Sequence, residues 1–283
     1  MPYLADSDLH VHTKFSFDGA TDGSGEPFRV ADAAISAGLS AIALTDHCDI
    51  DDIRDGIYPP YPESDIRKAV EKLKSDYSDR LKILRGIELG EPHVCPDEAK
   101  KLLTRQNFDF VLGSLHNLRG SPDFYFLRFE RMEEMQLGYI VKRMISELRE
   151  IVEFEWNGRH IDSLAHITYM SRYLDECHVS FDLTRYESEW RTLFGSMIDR
   201  GVALEINTSG IRKGGRLMPE SPLVSLYVDS GGRRFTLGSD AHSARDVGKD
   251  LDKAAKLLPP GSEFILPAGL AAGNARRNNF SSL

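Results

Sequence analysis

Residues Ala41–His47 read AIALTDH, a short apolar run that closes on polar residues. The same pattern recurs at Asp8–His12 (DLHVH), Leu81–Leu89 (LKILRGIEL), Phe108–His116 (FDFVLGSLH), Ile161–Ile167 (IDSLAHI), Val202–Asn207 (VALEIN) and Arg234–His242 (RFTLGSDAH). Runs this short and this rich in apolar or β-branched residues read as strands buried on both faces of a parallel sheet. Helical stretches lie between them: Pro27–Gly38, Pro62–Lys74, Pro96–Gln106, Glu130–Val152 and Tyr186–Arg200. The first opens on Pro and closes on Gly, and the last stops at Gly201, which is the usual asymmetry of helix ends. Unbroken strand–helix alternation puts the chain in the α/β class and predicts a single domain over 1–283, a closed or nearly closed barrel rather than an open doubly wound sheet. No GxGxxG follows the first run, so nothing supports a dinucleotide fold. The polar stretches Cys48–Glu63 and Asn117–Phe126 predict long loops of the kind that wall a binding site.

Composition narrows the function classes. The net charge of −9 opposes non-specific binding to nucleic acid, while a small anionic substrate is compatible with a local cluster of metal or arginine. Three cysteines with no CxxC pair argue against a disulfide framework and for a reducing cytoplasm. The start MPYLADSDLHVH does not read as a signal peptide, and no apolar stretch approaches the ~20 residues that span a bilayer.

The chemistry lies in the run ends. His10 and His12 close the first run, His47 the second, Glu88 the third, His116 the fourth, His166 the fifth, and Asp240 with His242 the last. In a parallel barrel all these ends meet on one face, where active sites are built. Positions i and i+2 of a strand point the same way, so His10 with His12, and Asp240 with His242, can each grip an ion. Glu88 has two oxygens and can bridge two ions, and Asp18, in the FSFDG loop, can fold back over the same face. Imidazole and carboxylate together suit Zn²⁺, Mn²⁺ or Fe²⁺. Any one of these residues alone reads as a surface or capping residue, but six of the nine histidines fall at strand ends on one side. His93 and Cys95 form an HxC pair in a Pro-flanked loop after the third run and read as structural, with His93 able to line the pocket. His160 and His178 read as solvated, and Cys48 as pointing away from the site.

These motifs, HxH (His10, His12), TDH (Thr45–His47), the Glu of GIEL (Glu88), GSLH (Gly113–His116), the AH of the fifth run (His166) and SDAH (Ser239–His242), resemble in kind and order the polymerase and histidinol phosphatase (PHP) superfamily. The resemblance implies a distorted (β/α)7 TIM-like barrel with a trinuclear metal site at the C-terminal ends of its strands. It implies one ion at His10, His12, Glu88 and Asp240, a second at Glu88, His116 and His166, and a third at Asp18, His47 and His242. The segments LEINTSGIRK (Leu204–Lys213), DFYFL (Asp123–Leu127) and FSFDG further resemble histidinol-phosphate phosphatases of this superfamily.

That resemblance implies a phosphomonoesterase with a small phosphorylated substrate, L-histidinol phosphate first, attacked by a metal-bridging hydroxide. Arg172 and Arg212 are expected to hold phosphate oxygens, since a guanidinium can take two at once. Asn207 and Ser209 are expected at the substrate or behind Arg212, and Asp240 or His242 to protonate the leaving oxygen. The competing expectations are a phosphoesterase of nucleotides or sugar phosphates, and a non-catalytic metal-binding or partner-binding module.

Overall fold

The apolar runs do fold as parallel strands. The computed structural model describes residues 6–265, and the rest of the expected 1–283 domain lies outside the described residues. Within them the strands are β1 (Ser7–Val11), β2 (Ala41–Leu44), β3 (His47–Asp49), β4 (Lys82–Gly90), β5 (Phe110–Ser114), β6 (Ser163–Leu164), β7 (Ala203–Asn207), β8 (Arg234–Gly238) and β9 (Glu263–Phe264). They pair in the order β1-β2-β4-β5-β6-β7-β8-β9, with β3 added on β4, and every pairing is parallel.

The sheet curls into a distorted TIM-like barrel whose ends meet at one isolated parallel bridge, Val11 to Ala241. There His12 donates its amide to the Ala241 carbonyl at 2.8 Å, and Asp240 donates its amide to the His10 carbonyl at 2.8 Å. Asp8 strengthens this seam, its buried carboxylate accepting the amides of Ser239 (2.8 Å) and Gly248 (2.9 Å).

The strand count departs from seven in two places. The AIALTDH run breaks after Leu44, and His47 opens the separate strand β3, paired with the upper half of β4. Gly86 permits the step: a Cβ there would lie 2.6 Å from Thr45 Cγ2 and 3.0 Å from the Leu44 carbonyl. The other addition, β9, extends the sheet beyond β8.

The helices are α1 (Pro27–Ser36), α2 (Ile50–Arg54), α3 (Glu63–Asp76), α4 (Pro96–Arg105), α5 (Glu134–Glu153), α6 (Tyr169–Glu176), α7 (Glu187–Arg200), α8 (Ser209–Gly214), α9 (Ser221–Asp229) and α10 (Leu251–Leu257). Pro27 and Pro96 sit in the first turns of α1 and α4, where the missing N–H costs nothing. Glu133 and Gln136 form a capping box on α5, and Gly201 ends α7 at φ 68°. The stretch expected as a loop at Cys48–Glu63 contains most of β3 and all of α2, whereas Asn117–Phe126 is a loop that closes on a 3-10 turn.

Helix apolar faces cover the outside of the sheet, with Val30, Ala31 and Ala34 of α1 and Trp190, Leu193, Phe194 and Met197 of α7 fully buried. A smaller cluster that includes Ala43, Leu84, Phe110 and Leu112 packs separately. On β4, Leu84 shares a face with Glu88 by the two-residue period, so this cluster floors the site. Among the described residues no helix is long and apolar enough to cross a membrane.

Candidate metal centre

Glu88, fully buried on β4, is the hub. The β3–β4 register sets His47 directly beside it. Its Oε2 lies 3.1 Å from His10 Nε2, 3.3 Å from His12 Nε2 and 3.1 Å from His47 Nδ1. Its Oε1 lies 2.9 Å from His166 Nε2 and 3.2 Å from His116 Nε2. Asp240 Oδ1 stands 3.5 Å from His12 Nε2 and 3.9 Å from His10 Nε2. Asp18 Oδ2 is 2.9 Å from His242 Nε2, and its Oδ1 is 3.7 Å from His47 Nε2. The structure thus brings together all nine residues expected as ligands.

Their ligand atoms also group more tightly than pairs. His10, His12 and Asp240 offer atoms within 4.8 Å of one another, as do His10, Glu88 and His166, His12, His47 and His242, and His47, Asp49 and His116. His12 beside His47 and His242, and Asp49 beside His116, are associations the sequence reading does not contain.

The donor set fits divalent cations. Burial opposes ionisation of Glu88, yet the charges of His47, His10 and His116 hold its carboxyl well below the usual range. Asp240 behaves the same way: burial is outweighed by His10, His12, His242 and Arg172. Burial likewise works against protonating His10, but Glu205, Glu88 and Asp240 draw its pKa well upward. The carboxylates therefore demand positive charge among the imidazoles, and metal ions satisfy that demand when the imidazoles are neutral. His47 Nδ1 approaches Glu88 without hydrogen-bond geometry, as lone pairs facing a common cation would.

Outer partners aim these rings. Glu205 Oε1 accepts from His10 Nδ1 at 2.6 Å, leaving Nε2 to face Glu88. Asp49 Oδ1 contacts His116 Nδ1 at 3.1 Å. His12 Nδ1 meets Ser16 Oγ at 3.0 Å, and that hydroxyl donates to Asp46 at 2.8 Å. Such contacts fix tautomer and orientation in metal sites. Two glycines make room: a Cβ on Gly238 would strike Glu205 Oε1 and the His10 Cβ, and one on Gly90 would strike Asp49. His166 (φ 21°) and Asp240 (φ 54°) adopt left-handed backbone that non-glycine residues rarely take, a cost typical of functional sites.

Sequence reasoning passes over Glu205, Asp49, Asp46 and Ser16. The signal for Glu205 is its i, i+2 spacing to Asn207 in VALEIN, and Asp49 stands at the same spacing from His47.

A cavity of about 860 Å³ opens above the cluster. One part of its wall is basic, with Arg172, Arg212, Arg245 and Lys249 and the carboxylate of Asp246 among them; another is aromatic, with Tyr58, Tyr125, Phe126, Tyr169 and Tyr173 around the carboxyl of Asp123. Arg172 donates to Ser209 Oγ (2.6 Å) and Asp240 Oδ2 (3.2 Å), and Arg212 to the Ser239 carbonyl (2.6 Å). Arg172 Nε and Arg212 Nη1 are buried and have no hydrogen-bond partner among the described residues.

Three expectations need correction, those for Asn207, Ser209 and His160. Asn207 and Ser209 do not line the cavity: both are buried beneath Asp240, where Ser209 Oγ lies 2.8 Å from Asp240 Oδ2 and 2.6 Å from Asn207 Oδ1, so they brace Asp240 and Arg172 rather than Arg212 or a substrate. His93 is outside the cavity, its Nε2 3.1 Å from Glu147 Oε2. His160 is half-buried and donates from Nδ1 to the Phe154 carbonyl at 2.9 Å. Cys95 receives a contact from Arg54, Cys48 is buried in the apolar core, and all three cysteines are free.

Comparison with known proteins agrees with this geometry. The PHP domain model matches residues 8–209. A protein named probable histidinol-phosphatase in Clostridium acetobutylicum is 29% identical over 259 residues, 88% of this chain and 91% of the relative. The histidinol-phosphatase of Lactococcus lactis subsp. lactis is 25% identical over 267 residues, covering 89% of each. The crystal structure of histidinol phosphate phosphatase from Lactococcus lactis subsp. lactis Il1403, in complex with Zn, L-histidinol and phosphate, superposes with a TM-score of 0.71 at 22% identity, over 92% of this chain and 95% of that one. A structure from Listeria monocytogenes reaches 0.74 at 18% identity, over 87% and 99%. With its barrel, its His, Asp and Glu cluster and a family match over most of its length, the chain belongs to the PHP domain family.

Proposed function

We propose that this protein is a metal-dependent phosphomonoesterase that hydrolyses L-histidinol phosphate to L-histidinol and phosphate, a step of histidine biosynthesis. The observation that carries this reading is the pair of unpartnered guanidinium donors, Arg172 Nε and Arg212 Nη1, buried beside a carboxylate–imidazole cluster in one cavity. A buried donor without a partner costs free energy unless a ligand supplies the acceptor. A phosphoryl group has the charge and the spread of oxygens to satisfy both arginines.

His10, His12, Glu88 and Asp240 would hold one divalent ion, Glu88, His116 and His166 a second, and Asp18, His47 and His242 a third, with Zn, Mn or Fe suited to the donors. Ions bound there cancel phosphoryl charge and bring the pKa of water to about 7. The protein's own share is placement. Glu205, Asp49 and Ser16 hold the ligand rings in register, and Arg172 and Arg212 orient the phosphoryl group. With ions in place, Asp240 Oδ1 and His242 Nε2 would be committed to them, so the proton expected from Asp240 or His242 for the leaving oxygen would come from solvent. On the other wall, Asp123 and its tyrosines suit a leaving group that joins a cation to a flat ring, which L-histidinol does. The free cysteines fit a cytoplasmic setting.

The test is phosphate release from L-histidinol phosphate beside a panel of nucleotide and sugar phosphates, with Zn²⁺, Mn²⁺ or Fe²⁺ added. A strong preference for L-histidinol phosphate is expected. Activity on other esters alone would discard the named substrate, and no activity with any metal would favour a binding module.

A further inference from the structure

The two arginines proposed to hold phosphate sit on different helices, Arg172 on α6 and Arg212 on α8. One turn further along α6 stands Asp175, and just past the end of α8 stands Arg216. These two are joined: Arg216 Nε donates to Asp175 Oδ2 at 2.7 Å, and its Nη2 donates to Asp175 Oδ1. A two-point contact between guanidinium and carboxylate sets angle as well as distance. Arg216 is held from its other side by Glu220 Oε1 at 3.1 Å. Gly214 allows the approach, since a Cβ there would lie 2.7 Å from Asp175 Oδ2. The chain then turns back onto β7, where Met218 and Asn207 exchange backbone hydrogen bonds of 2.8 and 3.1 Å. Neither Asp175 nor Arg216 lines the catalytic cavity; both line a separate cavity of about 570 Å³ that α6 divides from it.

We infer that Asp175 and Arg216 are positioning residues that set the spacing of Arg172 and Arg212, and through it the grip on the phosphoryl group. The inference rests on the phosphate-binding role proposed for those two arginines. The pair is a rung from α6 to the segment just past α8, one helical turn beyond Arg172 on α6 and close after the helix that carries Arg212. A lone arginine on either helix would reach phosphate with whatever offset its helix allowed. The rung removes that freedom, so its loss weakens phosphate binding and leaves the reacting centre intact.

The test uses the Zn²⁺-loaded protein and inorganic phosphate as the probe. Phosphate affinity by titration calorimetry, KM and kcat for L-histidinol phosphate, and the thermal midpoint are measured for wild type, Asp175→Asn, Arg172→Ala and the double variant. Asp175→Asn is expected to weaken phosphate binding and raise KM by about fivefold while kcat moves less than about twofold. The same substitution on the Arg172→Ala background is expected to add little, because the two-arginine grip is already broken. Arg216→Lys, which keeps the charge but loses the two-point contact, shifts affinity in the same direction and serves if Asp175→Asn fails to fold. Unchanged phosphate affinity in a folded variant, or an equal step on the Arg172→Ala background, overturns the inference. Wild type that binds phosphate but hydrolyses no ester overturns the proposed activity alone. Wild type that does neither overturns both.

Discussion

His10 Nδ1 and Glu205 Oε1 lie 2.6 Å apart, both fully enclosed. Both oxygens of Glu205 are engaged, because its Oε2 takes the His166 amide at 2.8 Å and Asn207 Nδ2 at 3.1 Å. One carboxylate thus ties the ends of β1, β6 and β7 together, and fixes which nitrogen of His10 faces Glu88. Glu205→Gln would turn an amide N–H₂ toward one of those donors. Metal affinity should fall by about 10–100-fold, measured by competition with a chelator. Affinity within error of wild type would mean that His10 is oriented by packing alone.

Arg172→Ala and Arg212→Ala should each raise KM and lower kcat/KM for L-histidinol phosphate by about 100-fold or more. Steady-state kinetics decide it. Wild-type kcat/KM in Arg212→Ala would remove Arg212 from the site.

Asp123 lies at the aromatic wall of the cavity, with burial raising its pKa first and His116 and the Tyr125 amide opposing that rise. Asp123→Asn should raise KM for L-histidinol phosphate about tenfold, yet leave an ester whose leaving group bears no cation, such as p-nitrophenyl phosphate, nearly unaffected. Equal effects on both esters would show that Asp123 does not read the cation of the leaving group.

Gly238→Ala places a methyl group against Glu205 Oε1 and the His10 Cβ. Overpacking of this kind costs about 1–3 kcal/mol. Denaturant unfolding should show that loss, together with weaker metal retention as His10 shifts. A variant with wild-type stability and metal content would show that the β8 backbone yields at little cost.

Away from the site, Glu147 on α5 accepts from the Arg119 amide (2.8 Å) and Arg143 (2.5 Å) and contacts His93 (3.1 Å). Burial opposes its ionisation, but His93, the Arg119 amide and Arg143 prevail and lower its pKa below the ordinary 4.5. A carboxyl lowered in the folded state stabilises above its unfolded pKa, and that contribution disappears as pH falls through the folded value. The stability gap between wild type and Glu147→Gln should therefore be full above about pH 5 and shrink in more acidic solution. A gap that is flat with pH would assign the loss to packing.

The strand ends and the clustered polar residues on them are legible in sequence because one rule governs both: a buried parallel strand must be apolar, and any polar group at its tip stands out. Thus His10, His12, His47, Glu88, His116, His166, Asp240 and His242 declare themselves, although β6 keeps only Ser163 and Leu164 as strand. Glu205 does not, because it lies inside VALEIN rather than at its tip, and only the curl of the sheet shows that it meets His10. The break between Leu44 and His47 is hidden for a related reason, since Thr45 and Asp46 look like the end of one strand until Gly86 reveals the step. Asn207 and Ser209 read as contacts to a ligand because they precede Arg212, whereas their depth beneath Asp240 is a property of the closed barrel. Helix α6, which carries Arg172, follows a histidine with left-handed backbone and has no Pro or Gly to announce its start.

The seam between β1 and β8 gives the metal centre a mechanical role as well. Across that gap the sheet offers one bridge, from Val11 to Ala241, and the Asp8 carboxylate. His10 and His12 stand on one lip and Asp240 and His242 on the other, so an ion shared between them would work as a clasp on an open hoop. Stripping the metal with a chelator would then unfasten the wall of the vessel as well as silence the chemistry, and the lips at β1 and β8, 231 positions apart at Asp8 and Ser239, would be the place where the protein comes undone.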